Sequence, residues 1–421
     1  MRSTLARSAP PAAGVSRSMM VRIGETNGPQ AFGVRGGVPG PTKRLGVAAA
    51  FVDGRLVDGD VAIRGGEIEA IGVVGSGDRG SRPGGVAIPG LLDAQVNGYA
   101  GVDVLAADHE QLKALGAALR RDGVSAYQPT MITAPEDQVI AALGRIASLP
   151  EASDDEAAIV GAHLEGPFLS PRRPGAHPVE HLRPPDVGLL QRLLDAGPVS
   201  MVTLAPELPG ALELIQLCTA RGVVVSLGHS EADAEDVERA LAAGAAAVTH
   251  LFNAMAPLSA RAPGLAGAAL ASENCEIQLI ADGVHVADDL VRLAFTAAPG
   301  RCSVVSDAIA AASLGDGSYR LGPIEVEVRE GVARRSDGTL AGGVASLAAS
   351  LPRLRRLGVE PADAISAVTA RPAQLLLGRE RSAGLRTGDP ADVVVLDDDH
   401  RIRTVLARGS ELERPAAGVL A

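Results

Sequence analysis

Four polar residues end short apolar runs of this 421-residue chain, and each has a side chain that can ligate a metal or move a proton: Glu165, His229, His250 and Asp307. One carboxylate oxygen and two imidazole nitrogens suit Zn²⁺ with one coordination position left for water, which is the composition of a catalytic site rather than a structural one. Bound zinc lowers the pKa of its water to about 7. Asp307 then fits the remaining role, in which it accepts the water proton and later delivers it to a leaving group. The alternative for Asp307 is a fourth metal ligand.

The elements that must position these residues are eight strand-like runs that alternate with helix-like segments. The runs occupy residues 91–97, 124–131, 159–165, 199–206, 223–229, 246–250, 276–281 and 302–307. Eight such units predict a (β/α)8 barrel, an α/β fold, rather than an open doubly wound sheet. Strand ends of a barrel converge on one mouth, so the four polar residues are predicted to share one rim. In the helical segment 231–244, we predict Ser230 as the N-cap and Gly244 as the C-cap.

The predicted barrel covers residues 89–378, with an inserted hairpin near 318–335. Short β-like runs broken by Gly and Asp flank it at 45–88 and 379–421, and their DG and GG steps predict hairpins. We expect these two ends to build one small sheet domain together. Residues 1–44 are rich in Gly, Pro, Ser and Arg without periodicity, and we predict a disordered extension.

Composition restricts the partners of the chain. A formal charge of −11 and an aromatic content of 2%, with no Trp, disfavour nucleic acid binding, which needs a basic surface or stacking platforms. No apolar run reaches the roughly 18 residues of a membrane span. Cys218, Cys275 and Cys302 form no CxxC pair, which is typical of a reduced compartment, and we expect a cytoplasmic protein. A small-molecule partner fits this composition best.

Six motifs follow one another in the chain: HLEGPFLSPRRPGAHP (163–178), LGHS (227–230), THLFNAM (249–255), ADGVH (281–285), SDA (306–308) and DGTLAGG (337–343). In this order they resemble the N-acetylglucosamine-6-phosphate deacetylases of the amidohydrolase superfamily, over residues 45 to 410. The resemblance implies a TIM barrel with a β-sandwich formed from both chain ends. It also implies a homodimer that acts on a small amino-sugar phosphate.

One position departs from the broader superfamily. Many of its members carry an HxH motif after the first strand and a carboxylated lysine that bridges two metals. This chain has Gln95 and Asn97 at the corresponding place, and its lysines, Lys43 and Lys113, end no barrel strand. Neutral amides are poor metal ligands, so we predict one divalent metal per chain, with Zn²⁺ favoured. Gln95 and Asn97 are expected to orient water or line the pocket.

The resemblance also maps substrate contacts onto twelve residues: Ala176, His177, Asn253, Ala254, Arg261, Asp282, Gly283, Val284, His285, Leu340, Ala341 and Gly342. Asn253 can bind phosphate or hydroxyl oxygens, and Arg261 offers a forked cation for a phosphate. His177 is expected to polarise the acetyl carbonyl and His285 to bind the sugar or its phosphate.

The remaining histidines have no such setting. His109, His181 and His400 are predicted at the surface, and His163, two residues before Glu165, is predicted to pack or to support the ligands.

The predicted reaction is hydrolysis of the acetamido group of N-acetyl-D-glucosamine 6-phosphate to D-glucosamine 6-phosphate and acetate. The galacto epimer differs only at the 4-hydroxyl and stays open as the substrate. A cyclic amidase is disfavoured, because its HxH motif and bridging lysine are missing. The alternative from another class is a non-catalytic sugar-phosphate sensor on the same barrel. It is disfavoured, because a sensor has no need of both a metal triad and a proton shuttle.

Overall fold

The computed structural model of the protein describes residues 41–74, 84–378 and 384–414. Its strands are β1 Lys43–Arg44, β2 Ala49–Val52, β3 Arg55–Asp58, β4 Asp60–Arg64, β5 Glu67–Val73, β6 Val86–Pro89, β7 Leu91–Val96, β8 Gly98–Tyr99, β9 Val102–Asp103, β10 Val124–Ile132, β11 Ala158–Ile159, β12 Ala162–Glu165, β13 Val199–Leu204, β14 Val224–Leu227, β15 Ala247–Val248, β16 Glu276–Leu279, β17 Cys302–Val304, β18 Gly317–Leu321, β19 Ile324–Arg329, β20 Val332–Arg334, β21 Val393–Leu396, β22 Ile402–Ala407 and β23 Ser410–Glu411. Its helices are α1 His109–Arg121, α2 Glu136–Ala147, α3 Val187–Ala196, α4 Ala211–Ala220, α5 Ala234–Ala243, α6 Gly264–Ala271, α7 Asp288–Ala297, α8 Ser350–Arg356, α9 Pro361–Val368 and α10 Ala370–Leu377. None of these described helices combines the length and the apolar character that a membrane crossing requires.

A parallel barrel forms the middle of the chain. Strands β7, β10 and β12 to β17 pair in that order, and the short β11 adds to β10. The ring closes where Val96, the last residue of β7, pairs with Ala308 beyond β17. The main-chain N–H of Asn97 also donates to the Ala308 oxygen at 2.8 Å. The predicted (β/α)8 barrel is confirmed, and seven of its eight strands begin within one residue of their predicted starts.

The strands are buried on both faces because helices cover the outside of the barrel and packed side chains fill its interior. Val202 and Leu204 of β13 and Val225 and Leu227 of β14 have no exposed surface. The covering helices are amphipathic, and α3, for example, buries a leucine stripe: Leu189, Leu190, Leu193 and Leu194. This rigid scaffold fixes where the strand ends point.

Both ends of the described chain contribute to two sheets outside the barrel. One sheet has the order β1-β4-β5, and the other has the order β23-β22-β21-β6-β2-β3. Strand β6 pairs with β2 on one side and with β21 on the other, so early and late segments share one sheet. A common core fills the space between the sheets: Val47, Ala50, Val61, Ile63, Ile68, Ala87, Leu385, Ala391, Val393, Val395 and Leu406. The predicted fold class, a barrel with a β-sandwich from both chain ends, is confirmed.

The predicted disorder of residues 1–44 falls mainly on residues 1–40, which lie outside the described residues. At its end the prediction is wrong, because Lys43 and Arg44 form β1 by pairing with Ile63 and Ala62 of β4. Lys43 and Arg44 therefore belong to the small sheet domain.

Strands β18, β19 and β20 form an antiparallel sheet between the eighth barrel strand and α8, at the place of the predicted hairpin. Apolar residues of this sheet, such as Leu321 and Val326, pack with Ile132 and Ile309 of the barrel mouth. The N–H of Ala341 donates to the oxygen of Ala333 in β20 at 3.1 Å. The inserted sheet therefore supports the loop that follows it.

The N-cap of α5 differs from the prediction. Asp233, not Ser230, caps this helix, because its Oδ1 accepts from the N–H of Asp236 at 2.9 Å and the Asp236 side chain accepts from the N–H of Asp233. Ser230 instead donates its hydroxyl to Oε2 of Glu207 at 2.7 Å. The predicted C-cap is right, since Gly244 has a left-handed φ of 115°.

Replacing the true cap should weaken the fold by a known amount. We expect Asp233→Ala to lower the free energy of unfolding by about 1 kcal/mol, because the first-turn N–H groups lose their acceptor. Urea unfolding followed by circular dichroism measures the change. Glu238→Ala, an exposed change within the same helix, is the control and should stay within about 0.5 kcal/mol. Equal stabilities of the two variants would contradict the capping assignment.

Candidate active site

Glu165, His229 and His250 meet at the mouth of the barrel. Glu165 is the last residue of β12, and the two histidines each follow their strand by two residues. Nε2 of His250 lies 2.8 Å and Nε2 of His229 lies 3.1 Å from Oε1 of Glu165, and the two nitrogens are 3.2 Å apart. All three side chains are buried. Among the described residues, they form the group of His, Cys, Asp and Glu ligand atoms that lie close enough to hold a metal ion, within 4.8 Å of one another.

The hydrogen bonds around this cluster favour a bound cation. Nδ1 of His229 lies 3.0 Å from the carbonyl oxygen of Arg173, which can only accept, so Nδ1 carries the hydrogen and Nε2 of the neutral ring carries a lone pair. That lone pair faces a carboxylate oxygen and the second imidazole nitrogen. Nδ1 of His250 is buried and has no hydrogen-bond partner among the described residues. Acceptors that converge in this way repel one another unless a cation or a proton lies between them, so the three residues fit a divalent metal.

Electrostatics of the metal-free cluster are consistent with ligation. Burial alone would raise the pKa of Glu165, but hydrogen bonds with His177, His229 and His250 hold it well below its usual range. Burial and the neighbouring His177 lower the pKa of His229 to about 4. Burial opposes the charged form of His250 as well, yet the contact with Glu165 raises its pKa. An ionised carboxylate and a neutral His229 are the states that a metal needs.

Three of the four predicted residues have unusual backbone conformations. The φ angles of His229, His250 and Asp307 are 51°, 31° and 49°, in the left-handed region that residues other than glycine rarely adopt. Each such residue costs about 1–3 kcal/mol and persists only where its surroundings hold it in place. Sequence patterns carry no signal for this feature, because the favoured residue, glycine, is absent at all three positions.

Asp307 lies on the same rim, three residues beyond β17. Its Oδ1 accepts from Nδ2 of Asn97 at 2.7 Å and from Nε2 of Gln95 at 3.0 Å. Burial, and next the negative charge of Glu165, raise the pKa of Asp307 to about 7. A carboxyl group with this pKa can accept and release a proton near neutral pH. Asp307 is not a member of the metal-ligand group, which favours the proton-transfer role over the alternative of a fourth ligand.

His177 faces the cluster from a neighbouring loop. The main-chain N–H of Thr133 points at its Nδ1 at 3.2 Å, so Nδ1 is an acceptor and Nε2 carries the hydrogen. Nε2 lies 3.5 Å from Oε2 of Glu165. His177 can therefore present an N–H donor beside the three clustered residues. Sequence reasoning missed Thr133, although it follows β10 directly and the positional argument used for Glu165 would have found it.

The side chains of Asp282 and His285 organise the ADGVH segment. Oδ1 of Asp282 accepts from the N–H groups of Val284 and His285 at 2.8 and 3.0 Å, and Oδ2 accepts from Nδ1 of His285 at 2.8 Å. Gly283, at a φ of 88°, lies against the guanidinium of Arg353, so that an added Cβ would be 2.2 Å from its Nη1. Hydrogen bonding to Asp282 leaves Nε2 of His285 as the ring atom available to a ligand.

The loop with Leu340, Ala341 and Gly342 packs directly against Asp307. Gly342 has a φ of 76°, and a Cβ there would lie 2.9 Å from the Asp307 carbonyl oxygen. Across the mouth, the carbonyl oxygen of Ala176 accepts from Nη1 of Arg335 at 3.1 Å. The structure thus brings both predicted loops to the mouth region.

Other predicted contacts are less closely tied to the cluster. The amide of Asn253 donates back to the carbonyl oxygen of His250 at 3.1 Å, and the oxygen of Ala254 accepts from the N–H of Ser230. Arg261 is exposed beside a turn, and no hydrogen bond or ion pair joins its guanidinium to the part of the chain that the structure describes. Its predicted role stays a prediction.

The remaining histidines lie apart from the ligand group. His400 is 5% exposed, so its predicted surface position is wrong. His109 and His181 are partly exposed. His163 is buried inside the barrel, with Nε2 2.7 Å from the Thr203 hydroxyl, in agreement with a packing or supporting role.

Comparison with known proteins places this fold and site in a family. A model of the amidohydrolase family matches residues 86–415. The chain belongs to the amidohydrolase family. It is 39% identical over 342 residues to the N-acetylglucosamine-6-phosphate deacetylase of Homo sapiens, covering 77% of this chain and 83% of the relative. It is also 36% identical over 324 residues to an N-acetylgalactosamine-6-phosphate deacetylase of Escherichia coli O157:H7, covering 76% and 86%.

A solved structure extends this similarity to three dimensions. A mutant N-acetyl-D-glucosamine-6-phosphate deacetylase from Mycobacterium smegmatis, in complex with N-acetyl-D-glucosamine 6-phosphate, superimposes with a TM-score of 0.78 at 33% identity. The match covers 88% of this amidohydrolase and 99% of that chain. Amidohydrolases are metal-dependent, and the buried Glu165, His229 and His250 cluster is where this member can hold a metal.

Proposed function

We propose that this amidohydrolase hydrolyses the acetamido group of N-acetyl-D-glucosamine 6-phosphate to D-glucosamine 6-phosphate and acetate. The observation that carries the proposal is the buried cluster of Glu165, His229 and His250 with Asp307 on the same rim. The chain that holds it is 39% identical to the human N-acetylglucosamine-6-phosphate deacetylase. The chemistry of an amide hydrolase requires a water activator and a proton shuttle, and this rim supplies residues for both.

We propose one divalent metal per chain, with Zn²⁺ favoured, held by Glu165, His229 and His250. When bound, such a cation lowers the pKa of water and polarises a carbonyl oxygen. Two nitrogen ligands and one carboxylate oxygen are typical of catalytic zinc. The amides of Gln95 and Asn97 donate to Asp307, which supports a role other than metal binding for them.

Asp307 is the proposed proton shuttle. Its carboxylate accepts a proton as water oxygen bonds to the acetyl carbon. The carbon–nitrogen bond then breaks, and Asp307 returns this proton to the departing sugar nitrogen. The acetyl group leaves with the water oxygen and the second water proton, and it releases that proton to the amine or to solvent as it becomes acetate. The sugar leaves as an amine, and the Asp307 carboxylate is ready for the next turnover.

His177 is the proposed donor to the acetyl carbonyl oxygen, because its Nε2 carries a hydrogen and faces the cluster. We expect His177→Asn to lower kcat about 10²- to 10³-fold, as is typical when one donor to a developing oxyanion is lost. Steady-state kinetics on metal-loaded protein measure the effect, and metal content should stay at the wild-type level. The conservative change Thr133→Ser retains the main-chain N–H that orients the ring and serves as the control. A wild-type kcat for His177→Asn would refute this role.

The substrate contacts are proposals that the loop positions support. Asp282, Gly283, Val284 and His285 form one loop, and Ala176, Leu340, Ala341 and Gly342 contribute two others. Asn253, Ala254 and Arg261 are proposed to bind hydroxyl or phosphate oxygens. We also propose a homodimer, which light scattering of the purified protein can test. A cytoplasmic location is part of the proposal and accords with three buried free cysteines in the described residues.

The decisive experiment compares two substrates. Purified protein is incubated with N-acetylglucosamine 6-phosphate and with its galacto epimer, released acetate is measured, and metal content is determined on the same sample. We expect faster release from the gluco substrate and about one zinc per chain. Faster release from the galacto epimer would favour the second candidate, which the 36% identity to the Escherichia coli relative supports. Binding of both sugars by metal-loaded protein without acetate would favour a sensor.

A further inference from the structure

Gln95 and Asn97 both point their side-chain amides at a single oxygen atom. Nε2 of Gln95 lies 3.0 Å and Nδ2 of Asn97 lies 2.7 Å from Oδ1 of Asp307. The two amide residues are 0% and 3% exposed. Their carbonyl oxygens have no hydrogen-bond partner among the described residues, so the contact with Asp307 is the one that orients each amide.

We propose that Gln95 and Asn97 are positioning residues that reserve Oδ2 of Asp307 as the oxygen that exchanges protons. An amide NH₂ group can only donate, so Oδ1 must accept two hydrogen bonds whether Asp307 is ionised or neutral. A proton on Oδ1 would point at these donors and break their bonds. The proton from water therefore binds to Oδ2 and forms an O–H bond there. That O–H bond breaks when the proton passes to the leaving nitrogen. The inference rests on the proposed function for the proton transfers themselves, whereas the two hydrogen bonds to Oδ1 are independent of it.

The main chain keeps the three residues in register. The N–H groups of Asn97 and Gly98 donate to the carbonyl oxygen of Ala308 at 2.8 and 3.0 Å. The N–H of Gly343 donates to the carbonyl oxygen of Asp307 at 2.8 Å. These bonds join the end of β7 to the segment after β17, where the barrel closes. The amides and the carboxylate therefore sit on one rigid seam, which is the arrangement that precise positioning needs.

Two neutral donors suit an acid that must also become a base. They stabilise the ionised carboxylate through hydrogen bonds, but they add no positive charge, which would lower its pKa so far that it could not act as a base near neutral pH. Burial and Glu165 raise the pKa of Asp307, whereas His250, His285 and the hydrogen bond from Asn97 lower it. Loss of either amide should therefore raise the pH at which Asp307 becomes a base.

The test uses Asn97→Ala and Gln95→Met in the full-length, metal-loaded protein. We expect wild-type metal content, a KM within about threefold of wild type, and a kcat about tenfold lower in each variant, since a misplaced group lowers only the chemical step. The acid limb of the kcat pH profile should move up by about one unit per lost hydrogen bond. Gln278→Leu is the control, because Gln278 is a buried barrel amide whose Nε2 lies 4.0 Å from the Met201 sulfur. It should leave the limb in place.

Other outcomes overturn the proposal. Loss of metal would identify the amides as ligands, and a raised KM with unchanged kcat would identify them as pocket lining. An acid limb that does not move would exclude the clamp, by which we mean the two hydrogen bonds from Gln95 and Asn97 to Oδ1 of Asp307. Each variant removes one donor, so if one variant fails to fold, the other still tests the proposal. If the wild type releases no acetate, the proposed function fails, and isotope-edited infrared titration of Asp307, with Asp307→Asn as the blank, still tests the clamp. An unshifted titration in both variants would then refute it.

Discussion

Asp307→Asn is expected to lose about 10³- to 10⁴-fold in kcat while it retains metal and substrate binding. The substituted side chain has nearly the same shape, and its amide oxygen can accept the hydrogen bonds that Gln95 and Asn97 donate to Oδ1 in the wild type. Its NH₂ group cannot accept a proton from water. The loss is large because one residue serves first as base and then as acid, so both steps fail together.

Three measurements separate this result from a general loss of structure. Metal content and the Kd of the substrate should match wild type, and only turnover should fall. Preserved turnover would remove Asp307 from the mechanism. Loss of metal in this variant would instead restore the alternative of Asp307 as a fourth ligand.

The same substitution should stabilise the metal-free protein at alkaline pH. Burial and Glu165 raise the pKa of Asp307 to about 7, above the ordinary value of 3.8. Between these values the folded state binds more protons than the unfolded state, so this residue's contribution to stability falls as pH rises through 7. Metal-free Asp307→Asn should therefore melt above metal-free wild type at pH 8, and the difference should shrink towards pH 4. Thermal scans across this range measure the trend.

The barrel and its ligand rim were predictable because parallel strands obey simple rules. Buried strands of a barrel are continuous apolar runs, and their C-terminal ends share one mouth. A polar residue at the end of such a run, as Glu165 is for β12, therefore has a predictable position in space. Separation in sequence, which is 85 residues between Glu165 and His250, does not weaken this argument.

Other features depend on contacts that no short pattern encodes. Ser230 and Asp233 are both good N-caps, and only the position of Glu207 decides that the serine is drawn away from the helix. His400 is polar and lies in a hairpin segment, yet packing buries it. The clamp on Asp307 joins residues 210 and 212 positions apart, and the chain must fold before the amides can be assigned to it.

Glu165 supplies the carboxylate charge of the proposed ligand set, so its replacement should weaken metal binding more than any other change at that site. We expect Glu165→Gln to reduce bound metal from about one ion per chain to less than about a tenth after mild chelation. The loss of kcat/KM should exceed the 10- to 100-fold change that is typical of residues that only orient ligands. Glu276→Gln is a matched control, because burial already raises the pKa of that carboxyl to about 7 and a neutral replacement changes little.

The pH dependence of metal binding tests the same assignment without any turnover. In the metal-free protein the contact with Glu165 raises the pKa of His250, so His250 must release a proton before its Nε2 can ligate. Metal affinity should therefore fall as pH decreases below that pKa, by about tenfold per pH unit for each proton displaced. In Glu165→Gln the partner that holds this proton is gone, so the residual affinity should depend less steeply on pH. Full metal content with an unchanged pH slope in Glu165→Gln would show that the metal binds elsewhere.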